Sequence, residues 1–209
     1  MHSPDRLLRA LEIAPVQPFR GFVYRIIAER HRDSPLSAIG SVRSGGRYNA
    51  PNTFPVLYCA DSQMTALLEV EALFTTADGQ LKGAPRDPDL VLSLRCELAR
   101  VLDLTDDSFL RELGTTRNEL VNHTPSRFIL NARGEETPTQ TLGAACSFCG
   151  SISAVKVPSA ANKDGYCLNI LPDSLLVGEH VTILDDSDRI KAKIDGVIPV
   201  PGKFGGLTV

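Results

Sequence analysis

The chain has 209 residues, of which 43% are hydrophobic and 22% charged, and its formal net charge is −3 at pH 7. Such a length suits one large domain or two small ones, and the apolar share is enough for a sizeable core. The negative balance argues against broad nonspecific binding to nucleic acid, and no run approaches the roughly 20 apolar residues of a membrane helix.

No internal repeat or low-complexity linker divides the sequence, so a single domain over residues 1–209 is expected. The opening "MHSPDRLLRALEIAPVQPFRG" lacks the uninterrupted apolar stretch of a signal peptide. Gly21 to Glu29, "GFVYRIIAE", reads as a first strand, with Val23 and Arg25 on the face opposite Phe22, Tyr24 and Ile26. Ser34 to Thr53 is rich in Pro, Gly and Ser and reads as a loop. "FPVLYCA" is a second strand, after which Asp61 or Ser62 can cap a helix carrying Met64, Leu67, Leu68 and Phe74. "DLVLSLRCEL" and "RVLDLTD" read as two successive strands, and Ser108 to Asn122 as two helical pieces broken at Gly114. A helix over "PTQTLGAACSFCG" stops at Gly150, and the strands "ISAVKV" and "YCLNIL" follow around the turn "PSAANKDG". Beyond Val177, "HVTILDD" and "GVIPVPG" suit peripheral strands. Strands and helices interleave without a strict parallel pattern, so the expected class is α+β.

Few familiar motifs are present. His2, His31, His123 and His180 lack metal-ligand spacing, so no metal site is expected. Cys59, Cys96 and Cys167 sit among apolar neighbours and read as reduced thiols, which makes the cytoplasm the expected location. Cys146 and Cys149 form a CxxC, but late in a helix, where the dipole opposes a thiolate. Small side chains packed against a strand explain them better.

"SVRSGGRYN" carries more information. Its two glycines permit close approach of a ligand, and Arg47 offers a planar fork to phosphate or carboxylate oxygens. A solvated surface turn accounts for the stretch equally well. Arg25, Arg30, Arg32, Arg43 and Arg47 crowd into one region, which suits a small anionic ligand. A buried Arg25 would need a partner, and Glu69 in "TALLEVEAL" is the obvious one. About 200° of helix separates Glu69 from Glu71, so they do not share a face: either one faces inward and the other solvent, or both are solvated on a surface helix.

Taken together, "VYRI", "GGRYN", "LYCA", "ALLEV", "VKVPSA" and "LNIL" resemble the RES domain family, in order, over roughly residues 22–171. The resemblance implies a fold similar to ADP-ribosyltransferase toxins and an activity that destroys NAD, here substrate and not cofactor. It implies a catalytic set of Glu69, Arg47 and Ser159, and a binding set of Arg25, Arg47, Tyr58, Ser159 and Asn169. Arginines would clamp the pyrophosphate and Glu69 would stabilise the cationic transition state. Tyr58 would stack on nicotinamide and Ser159 would orient the ribose. Many family members are toxins neutralised by an antitoxin with a helix-turn-helix region, so homo- or hetero-oligomers are compatible with it. Two alternatives stand beside the NAD-degrading toxin: a protein ADP-ribosyltransferase with the same pocket, and a catalytically silent nucleotide-binding module.

Overall fold

The computed structural model describes residues 1–76, 79–84, 87–122 and 127–199. Helix α1 (Pro4–Glu12) precedes strand β1 (Val16–Ala28), helix α2 (Ile39–Ser44), strand β2 (Leu57–Ala60) and helix α3 (Gln63–Glu69). A small hairpin, β3 (Leu73–Thr75) with β4 (Leu81–Gly83), leads to the long β5 (Asp89–Asp103). Helices α4 (Arg117–Val121), α5 (Arg127–Ala132) and α6 (Pro138–Phe148) come next. Strands β6 (Ala154–Pro158), β7 (Tyr166–Ile170), β8 (His180–Leu184) and β9 (Lys193–Asp195) complete the order.

The architecture is mixed α and β, built on a barrel. Strands run β1-β2-β7-β6-β5, and β1 pairs again with β5, so the ribbon closes on itself and hides its edges. β5 serves two neighbours along its other edge: β6 in parallel at Val101–Asp103 and β8 in antiparallel at Ser93–Glu97. A parallel pair needs a long crossover, and the segment from β5 to β6 supplies it with α4, α5 and α6.

Period-two alternation sorts the strand side chains into two cores. Val23, Leu57, Leu94, Ala154, Leu168 and Ile170 belong to one, shared by strands around the ring. Val155, Val157, Leu102 and Leu104 belong to the other, covered by Leu7 and Leu11 of α1 and Leu142 and Cys146 of α6. Each fully buried leucine contributes about 1.5–3 kcal/mol relative to exposure.

Several expectations change. β1 begins at Val16, five residues before Gly21, because Pro18 is taken up by a register irregularity between Gln17 and Phe19. The two strands expected around Arg100 are one, since nothing between Asp89 and Asp103 is Pro or Gly and β1 pairs along nearly its whole length. Inside the expected loop lies α2, whose Ser41 carbonyl accepts from Asn49 Nδ2 at 2.7 Å. Of the two helical pieces, only the second forms as α4, and Gly114 (φ 62°) ends a run of turns before it. "HVTIL" is not peripheral: β8 lies against β5 with Val181 fully buried. In "GVIPVPG", Ile198 bridges to Leu176, while positions from Val200 onward lie outside the described residues.

Candidate active site

A cleft of about 800 Å³ opens beside β1 and β2, walled by α3, α2, α5 and the start of α6. Helix α3 is capped as expected: the Ser62 hydroxyl accepts from Thr65 N at 3.1 Å. It buries Thr65 and Ala66 and ends at Glu69, so Phe74 belongs to β3 and not to the helix. Glu71 follows with φ 56°, outside the helix. The helical angle between the two glutamates therefore never applies, and both line the cleft.

Glu69 is fixed by a turn 90 residues away. Its Oε1 accepts from the Ser159 hydroxyl at 2.5 Å and from the backbone N–H groups of Ala160 and Ala161 at 2.9 and 3.3 Å. Hydrogen bonds to an ionised carboxylate are the strong kind and set its orientation. Ser159 is 5% exposed, and its oxygen accepts from Ala161 N and Asn162 N at 3.2 and 2.9 Å. A hydroxyl has one proton, and here it goes to Glu69. Ser159 thus positions the carboxylate and is not among the residues that line the cleft. Cys167 does line it, and burial followed by the Glu69 charge raises its thiol pKa, which keeps it neutral.

The "GGRYN" segment is a brace. Gly45 has φ 66°, a conformation side chains avoid. A Cβ on Gly46 would lie 2.3 Å from the Tyr58 hydroxyl, so the close approach that this glycine permits is made by Tyr58. Tyr58 lines the cleft while its hydroxyl donates to Asn49 Oδ1 at 2.8 Å and accepts from Tyr48 N at 3.0 Å. Burial pushes its pKa well up. Arg47 donates through Nη1 to the carbonyls of Leu120, Val121 and Asn122 at 3.3, 3.0 and 2.9 Å, at the C-terminal end of α4 where a cation is favoured. Buried Gln140 of α6 ties the segment down, donating to the Gly46 and Asn49 carbonyls at 3.1 and 3.2 Å.

Arg25 lines the cleft but is not paired with Glu69. Its Nη1 and Nη2 donate to the Tyr58 and Ser37 carbonyls at 3.1 and 3.2 Å, and burial lowers its pKa. Of the five clustered arginines, only Arg25 and Arg47 reach the cleft. Arg30 and Arg32 pair with Asp87 and Glu29 on the surface, and Arg43 is exposed. Sequence reasoning missed Arg127, which lines the cleft with its guanidinium 4.6 Å from the ring of Phe128. No periodicity marks it: the ties from Arg47 to the end of α4 bring this part of the chain to the site. Asn169 is 2% exposed in β7, opposite Tyr58, and does not line the cleft. Neither of its side-chain polar atoms has a hydrogen-bond partner among the described residues.

Among the described residues, no three His, Cys, Asp or Glu side chains cluster to hold a metal; His123 lies outside them. Cys146 is fully buried with its thiol pKa raised by burial, and Cys149 caps α6, both as free thiols. No helix among the described residues is long and apolar enough to cross a membrane. The cleft therefore combines three arginines suited to anionic oxygens with an oriented carboxylate suited to a developing positive charge.

The RES domain family model matches residues 22–189. Among curated proteins, the chain is 38% identical over 94 residues to the NAD(+) phosphorylase MbcT of Mycobacterium bovis and to that of Mycobacterium tuberculosis, covering 43% of this chain. The match spans about half the length of those relatives, 48%. Among solved structures, the M. tuberculosis MbcT–MbcA toxin-antitoxin complex shares the fold, with a TM-score of 0.53 and 23% identity over 79% of this chain and 81% of that one.

Proposed function

This chain belongs to the RES domain family, and on that premise we propose that it is a toxin that degrades NAD at the bond between nicotinamide and ribose. The observation that carries the reading is Glu69, held by three donors on one oxygen at the wall of an arginine-lined cleft. When that bond breaks, its electron pair goes to the pyridine nitrogen, which loses its positive charge. Nicotinamide leaves neutral, so no general acid is needed. The ribose carbon takes on oxocarbenium character, and an oriented carboxylate stabilises it. Arg25, Arg47 and Arg127 hold the pyrophosphate, and the Tyr58 ring faces the nicotinamide.

Inorganic phosphate is the favoured acceptor, because the curated relatives carry the name NAD(+) phosphorylase. A phosphate oxygen then bonds to the ribose carbon in place of nitrogen. NAD is the substrate and no further cofactor is required. The inferred partner is an antitoxin with a helix-turn-helix region, supported by the toxin-antitoxin complex of the structural relative. The cytoplasm, where NAD is abundant, is the inferred place of action. We also infer a single domain of the ADP-ribosyltransferase toxin type, a reading supported by the mixed sheet folded beside a carboxylate-bearing cleft.

Chromatography of the protein incubated with NAD, with and without phosphate, tests this. The expected products are nicotinamide and a phosphorylated ADP-ribose. Free ADP-ribose would make water the acceptor, and label on protein would make the chain an ADP-ribosyltransferase. No nicotinamide under any condition would leave a transferase without its protein target or a binding module, and would overturn the proposal.

A further inference from the structure

Glu69 is the last residue of a seven-residue helix, and isolated helices under about 12 residues are marginal in water. Its donors belong to the turn between β6 and β7, where Ala161, Lys163 and Asp164 are exposed. A helix this short and an exposed turn depend on tertiary contacts, so the contacts between them set their register. Thr65 lies four residues before Glu69, on the same face of α3, and is fully buried. Its hydroxyl accepts from Asn162 Nδ2 at 2.8 Å and meets the Ser62 hydroxyl at 2.9 Å. Asn162 belongs to the same turn as Ser159, Ala160 and Ala161.

The fit is close. A Cβ on Gly165 would stand 2.6 Å from Thr65 Oγ1 and 2.9 Å from Asn162 Nδ2, so the turn closes over Thr65 with room only for glycine. Gly165 also spans the turn through its backbone: its N–H donates to the Asn162 carbonyl and its carbonyl accepts from Ser159 N, both at 3.0 Å.

We propose that Thr65 and Asn162 are positioning residues that clamp the turn onto α3 and thereby fix the Glu69 carboxylate for reaction. This rests on the role given to Glu69 above. The clamp touches neither the substrate nor the reacting atoms, so its effect falls on the rate and not on binding. A misplacement of about 1 Å costs on the order of a hundredfold in rate.

Steady-state nicotinamide release is the test. Thr65→Val and Asn162→Ala should each lower kcat by about 10- to 100-fold with KM within about threefold. Thr65→Ser, which keeps the hydroxyl, should restore most of the rate. Gly165→Ala should lower kcat similarly, by crowding the turn without removing a polar group. Combined with Glu69→Ala, Thr65→Val should cost nothing further, because the group it positions is gone. Wild-type kcat in Thr65→Val and Asn162→Ala, failure of Thr65→Ser to rescue, or an equal additional loss in the Glu69→Ala background would each overturn the clamp. Absence of nicotinamide release by the wild-type protein would instead bring down the NAD reading, and the clamp with it.

Discussion

Two glutamates in this molecule are held by the same means and put to different ends. Glu179, just before β8, is 4% exposed and uses both oxygens: Oε1 accepts from Ala99 N and the Ser153 hydroxyl, each at 2.7 Å, and Oε2 from Leu176 N at 2.7 Å. Arg100 completes the set at 3.3 Å, itself bonded to the Gly150 and Ser174 carbonyls. Glu69 is likewise held by a serine hydroxyl and two backbone N–H groups, but on one oxygen, half-buried, beside an open cleft. Among the described residues it has no ion-pair partner, although three arginines line the same cleft. A carboxylate that is saturated and paired is a structural lock. One that is oriented but unpaired keeps its charge for something that enters.

The contrast can be broken by deleting each group. Glu179→Ala leaves Arg100 largely buried without its counter-charge and should cost about 3–5 kcal/mol in denaturant unfolding. Glu69→Ala should cost only about 1–2 kcal/mol in the same experiment, since the Ala160 and Ala161 N–H groups sit at the cleft and can turn to water; equal losses would erase the distinction. Gly46→Ala should come next, at about 1–3 kcal/mol, because the new Cβ displaces Tyr58. Arg47→Ala should weaken NAD binding by about tenfold, or about 1.4 kcal/mol, in a titration. Unchanged affinity would remove Arg47 from the binding set.

The smallest effect is a pH dependence. Burial alone would raise the Glu179 pKa, but bonds from Ser153, Leu176 and Ala99, with the Arg100 charge, leave it below its ordinary 4.5. A carboxyl lowered in the folded state adds stability above its unfolded pKa and loses it as pH falls toward the folded value. Unfolding free energy should therefore decline from about pH 4.5 downward, and Glu179→Gln should flatten that limb. Asp103, lowered despite burial by Lys156 and Thr105, and Asp185, lowered by bonds from Ser187, Ile190 and Arg189, act with the same sign and contribute to the slope that remains.

Local signals made much of the frame legible. The Ser62 cap, the Gly150 stop and the alternation in "AVKV" and "YCLNI" each named an element that forms. Closure of the barrel was not legible, because the β1–β5 pairing joins strands separated by a long stretch whose register no local pattern encodes. The site divides in the same way. Glu69, Arg47, Arg25 and Tyr58 line the cleft, whereas Ser159 and Asn169 are buried and do not. Arg127, Thr65 and Asn162 are isolated polar residues without period, and only the folded contacts reveal what they touch.

The most direct measurement is Glu69→Gln, which keeps an acceptor for Ser159 and removes only the charge. Nicotinamide release and ADP-ribose affinity would be compared with those of the wild-type protein. The expected result is a fall in kcat of at least about a hundredfold with affinity within about threefold, as loss of a preorganised charge in the transition state requires. A variant that keeps its rate and loses affinity would make Glu69 a binding residue and contradict the central claim.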